Sequence, residues 1–100
     1  MTRFDLEDIK KYWCYDDILK NHHNISIKEL KNNIVRIVIS DKYGVDATFY
    51  VKPYKYDFDG FSISGFSVLD RHLDITSELE YTDTLNECIK GALYYYNTRY

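Results

Sequence analysis

Ile34-Val35-Arg36-Ile37-Val38-Ile39-Ser40-Asp41-Lys42-Tyr43-Gly44-Val45-Asp46-Ala47-Thr48-Phe49-Tyr50-Val51-Lys52 carries the clearest structural signal in the chain. Five of its first six residues are β-branched, and such residues are stiff at χ1 and suit a pleated strand. The near-continuous apolarity of that run predicts cover on both faces and a central place in a sheet. Asp41 to Gly44 reads as a turn, with glycine where a positive φ costs little. Beyond it Val45, Ala47, Phe49 and Val51 alternate with Asp46, Thr48, Tyr50 and Lys52, the period-two pattern of a half-buried strand. Two strands and a tight turn make an antiparallel hairpin, and the rest of the fold grows from it.

Pro53 cannot donate to a ladder, so the second strand should close there or lie at an edge. Upstream, Ile25 to Leu30 is ambiguous: Ser26 with Glu29 fits a capping box, while Ile25 and Ile27 alternate as in a strand. The strand is favoured, because Asn32-Asn33 would then turn the chain into the hairpin. Downstream, a strand from about Phe58 to Leu69 slips in parity between the pair Phe61 and Ile63 and the pair Phe66 and Val68, which predicts a bulge at Ser64-Gly65. Arg71 to Ile75 reads as one more short strand.

Helices flank this meander. Asp5 or Thr2 can cap a first helix from about Leu6 to Leu19, with Leu6, Ile9 and Trp13 at helical spacing and Asp16-Asp17 as its point of interruption. Thr82 or Thr84 can cap the last one. Thr84 pairs with Glu87 as a capping box, and Leu85, Cys88, Ile89, Ala92 and Tyr96 form the apolar stripe. The expected fold is α+β, one domain over residues 1–100: an N-terminal helix, an antiparallel meander of three to five strands, and a C-terminal helix packed on the sheet.

Composition fits a folded domain, with 45% apolar and 29% charged residues. Seventeen per cent of the chain is aromatic and eleven residues are Tyr, more than a core this size encloses, so several rings should reach the surface. No apolar run is long enough for a signal peptide or membrane helix. Cys14 and Cys88 have no close cysteine partner, which suits a reducing, cytoplasmic setting. The net charge of −3 conceals a segregation. Residues 18–56 hold seven bases against three acids, whereas in 57–89 eight acids face only Arg71.

Tested for chemistry, most patterns favour ordinary structure. Asp70, His72 and Asp74 would project to one side of an extended segment, an arrangement open to acid–base work or a divalent metal in a small hydrolase or metal protein. A solvated face is the favoured reading. His22 and His23, with His72, could make three ligands, but adjacent histidines diverge and no second ligand stands at a useful spacing, so a polar helix exit is expected and no metal. Cys14 has Asp16 and Asp17 beside it rather than the bases that stabilise a thiolate. No phosphate-binding glycine loop or nucleophile elbow occurs. No cofactor is expected, and the chain reads as non-enzymatic.

Lys52, Tyr54, Lys55 and Tyr56 interleave cations with rings, the chemistry of a single-strand nucleic-acid platform, yet the acids from Asp57 onward would repel phosphate. Direct nucleic-acid binding is therefore the alternative. The favoured expectation is a protein-binding module, an inhibitor or regulator of a larger partner such as a nucleic-acid-processing enzyme. Its candidate surface combines Asp57, Asp59, Asp70, Asp74, Glu78, Glu80 and Asp83 with Tyr94 and Tyr95. Three consecutive helical tyrosines, Tyr94 to Tyr96, cannot share one narrow core stripe. By analogy of type, small acidic domains of this composition occur among phage and mobile-element proteins that block host enzymes, anti-CRISPR inhibitors included. An exposed edge near Pro53, or the tyrosine-rich helix, also offers a surface for a symmetric homodimer.

Overall fold

The computed structural model describes residues 4–70, 78–82 and 84–99. Two short helices, α1 (Leu6–Lys10) and α2 (Trp13–Lys20), precede the strands β1 (Asn24–Glu29), β2 (Val35–Asp41), β3 (Gly44–Phe58), β4 (Phe61–Asp70) and β5 (Glu78–Thr82), and α3 (Leu85–Arg99) closes the chain. The strands form one antiparallel sheet in sequence order. This is the α+β meander that the hairpin at residues 34–52 implies.

Helices cover one face of the sheet. Val35, Ile37 and Ile39 of β2, Ala47, Phe49 and Val51 of β3, and Val68 of β4 are buried with Ile9, Cys14, Ile18, Leu85, Cys88, Ile89, Ala92 and Leu93 of the helices. Phe49 is fully enclosed, and the ring of Tyr95 meets it edge-on at 6.0 Å. Asp5 caps α1 by accepting from the backbone N–H of Glu7 and Asp8. Thr84 Oγ1 accepts from the backbone N–H of Glu87 at the start of α3, and the expected stripe Leu85, Cys88, Ile89, Ala92 and Tyr96 is buried. Among the described residues no helix is long and apolar enough to cross a membrane.

Four expectations change. The first helix breaks at Tyr12, whose backbone is extended (φ −70°, ψ 135°), rather than at Asp16-Asp17. Trp13 therefore starts α2 instead of continuing the α1 stripe, and it is 54% exposed. β2 is not central: it is second of five strands, with β3 in the middle. Only alternate residues of β2 are buried, because the helices pack on one side of the sheet.

Pro53 does not close β3, which runs on to Phe58 opposite β4. The other expectation for Pro53, an edge position, holds: the β2–β3 ladder ends at Val35 and Val51, so at Pro53 β3 keeps one neighbouring strand, where a missing N–H costs least. No bulge occurs at Ser64-Gly65. The β3–β4 register is unbroken from Phe49 and Asp70 to Phe58 and Phe61, closed by Asp59 (φ 46°) and Gly60 (φ 81°) in a two-residue hairpin turn. β1 is a strand, as favoured, and Asn32 and Asn33, both with positive φ, turn the chain into β2. The strand expected over Arg71 to Ile75 lies outside the described residues.

Candidate functional site

Two local irregularities bring a polar cluster together beside α3. The first ends α2: the backbone N–H of His22 donates to the Leu19 carbonyl at 3.1 Å and that of His23 to the Ile18 carbonyl at 3.3 Å. His22 adopts φ 66° at the point where this C-terminal motif usually holds glycine. The reversal delivers His23 beside the β2–β3 hairpin.

The second irregularity lies in that hairpin. Ile39 pairs with Ala47 but Ser40 pairs with Val45, which leaves Asp46 as the extra residue of a bulge. The bulge reverses the expected alternation. Val45 is 66% exposed, and the Asp46 carboxylate turns to the helix side, where the Tyr96 hydroxyl donates to its Oδ2 at 2.6 Å. The same Oδ2 lies 3.2 Å from His23 Nε2, and Asp41 Oδ2 lies 3.9 Å from it. His23 Nδ1 is 3.0 Å from the Asn21 carbonyl oxygen. The imidazole stands edge-on to the Tyr96 ring, 5.9 Å between centroids. His23 separates two hollows, a cleft of about 440 Å³ that Asp41 and Tyr43 also line and a smaller one of about 150 Å³ bounded by Ile18 and Tyr96.

A second feature is apolar. Trp13 meets Tyr94 edge-on at 6.0 Å, and Tyr12 lies 5.9 Å from Trp13. Tyr94 is 49% exposed, so the Trp13–Tyr94 pair presents aromatic surface across α2 and α3. Its rim is charged: Lys90 bridges Asp8 at 2.8 Å and Glu87 at 3.6 Å, and lies 6.0 Å from the centre of the Tyr12 ring. The Lys90 ammonium and the Asn86 amide hold the Asp8 carboxyl below the ordinary carboxylate range. Burial, with Cys14 beside it, pushes the Tyr12 phenol up to about 12. Burial also pushes the Cys14 thiol up, against the thiolate that a nucleophile needs.

Among the described residues, the acids from Asp57 to Glu80 do not form one group. Asp57 pairs with Ser62 near the hairpin tip, Asp59 sits exposed in the turn, and Asp70 pairs with Phe49 at the opposite end of β4. An eight-residue strand separation spans about 27 Å. Glu78 and Glu80 stand in β5, while Asp74, Asp83 and His72 lie outside the described residues. Tyr94 is exposed as expected, but Tyr95 is half-buried against Phe49. Lys52 is exposed and shares its strand parity with Tyr54 and Tyr56, whereas Lys55 has the other parity.

Sequence reasoning missed Trp13 as a surface residue and the grouping of His23, Asp41, Asp46 and Tyr96. The His22-His23 pair after a helix was visible, but its partners lie 18 to 73 residues further along. No family model matches the chain, and neither a curated protein nor a solved structure matches it.

Proposed function

We propose that this chain is a non-enzymatic protein-binding module, a small inhibitor or regulator that docks on a larger protein through the Trp13–Tyr94 surface. The observation that supports this is the half-exposed, edge-to-face pair of Trp13 and Tyr94. Trp and Tyr are the side chains most often found at the energetic centre of interfaces. Two acids, Asp8 and Glu87, about the cation Lys90 leave this rim with an excess of negative charge, which suits a partner whose apolar docking site is bordered by basic side chains and makes association salt-dependent.

The test compares the wild-type chain with a Trp13→Ala/Tyr94→Ala variant as bait in lysate of the source cells, at low and high salt, with and without nuclease. The expected result is a protein that resists nuclease, is held by the wild type, and binds the variant roughly 30-fold or more weakly, the loss expected on truncating a centre of binding energy. Circular dichroism should be the same for both baits. Equal capture by the two would reject the docking surface. Loss of every partner on nuclease treatment would favour the nucleic-acid reading built on Lys52 to Tyr56.

A further inference from the structure

We infer that His23, Asp41 and Asp46 form a binding site for a divalent transition-metal ion of the zinc class, independent of the aromatic docking surface. The three donor atoms, His23 Nε2 and one carboxylate oxygen from each Asp, all lie within 4.8 Å of one another. Ligands about 2.0–2.1 Å from a tetrahedral zinc stand about 3.3 Å apart. His23 Nε2 and Asp46 Oδ2 already have that spacing at 3.2 Å, and Asp41 Oδ2 stands 3.9 Å from Nε2 at the mouth of the cleft, its other oxygen accepting from the Tyr43 backbone N–H at 2.8 Å.

The hydrogen-bond chemistry points the same way. The Asn21 carbonyl oxygen can only accept, so His23 Nδ1, 3.0 Å away, carries a hydrogen. In a neutral imidazole this leaves the Nε2 lone pair facing two carboxylates, a position that calls for a cation. A proton or a metal ion can fill it. The surrounding contacts are those that orient metal ligands: a backbone carbonyl fixes the histidine tautomer, and the Tyr96 hydroxyl holds the Asp46 carboxylate. An imidazole with two carboxylates suits zinc or a neighbouring transition ion over calcium or magnesium, which prefer all-oxygen sites. Three protein ligands leave one coordination position for water on the open side of the cleft.

Zinc chloride titrated into the full chain, followed by calorimetry and by thermal melting, is the test. The expected result is one ion per chain with a rise in Tm. His23→Ala and Asp46→Asn should each lose at least tenfold in affinity, and Tyr96→Phe about tenfold. His22→Gly should bind as the wild type does. Cobalt in place of zinc should show the absorption bands of a tetrahedral site in the wild type and not in Asp46→Asn. If His23→Ala fails to fold, Asp41→Asn, at the hairpin turn, should show the same loss. Absence of zinc binding by the wild type, or binding that survives both His23→Ala and Asp46→Asn, would leave the trio as an ion-paired latch and overturn the inference.

Discussion

His22 carries backbone strain in the region that joins α2 to β1. Its φ of 66° is left-handed, a conformation that costs a residue with a Cβ roughly 1–2 kcal/mol and glycine almost nothing. Its side chain is exposed. Replacement by glycine should therefore stabilise the fold by about 0.5–1 kcal/mol, the relief of strain being partly offset by the greater freedom of glycine in the unfolded chain. Urea denaturation checks the sign, and a loss of stability would show that the His22 ring makes contacts worth more than the strain. Asp46 illustrates the opposite case. No preference of its own turns it inward; the bulge opposite Ile39 and Ser40 does.

At the scale of elements, the N-terminal helices are tied to α3 by polar contacts over a long sequence span. Asn86 Oδ1 accepts from the Asp5 backbone N–H at 2.9 Å, its Nδ2 donates to Asp8 at 3.1 Å, and Lys90 bridges Asp8. The sign of the pH dependence follows from two shifts. Asp8 is lowered from 3.8 in the fold, so its contribution is complete above that value and fades as pH falls through the folded value. Lys90 is raised from 10.5 by Asp8, so its contribution is complete below that value and fades as pH rises through the folded one. The Tm difference between the wild type and Asp8→Asn should be flat around neutrality and shrink at both extremes. A difference that grew in acid would contradict the α1–α3 tie.

For the whole molecule, helices and sheet share one core, and the two cysteines report on its integrity. Cys14 on α2 and Cys88 on α3 are both thiols in no disulfide, and both are fully buried. A thiol reagent should label neither in the native protein and both at one common rate, set by global unfolding. Earlier labelling of Cys14 alone would mean that α1 and α2 open as a separate unit. The acidic run also changes meaning at this scale: Asp57 and Asp59 stand at the tip of the β3–β4 hairpin, while Asp70, with Glu78 of β5 opposite Leu69, stands at its other end.

Strand and helix identity were legible in the sequence because they rest on near-neighbour physics. The β-branched run at residues 34–39, the alternation from Ala47 to Val51 and the Thr84–Glu87 cap each declare their element within a few residues. The same local rules misplaced Trp13, Val45 and Asp46, since a break at Tyr12 and one extra residue in β3 each reset the periodicity on which those readings depended. Only tertiary structure could assemble His23, Asp41, Asp46 and Tyr96, or set Trp13 against Tyr94. Those residues come from different elements, and their meeting is decided by how the helices pack across the sheet.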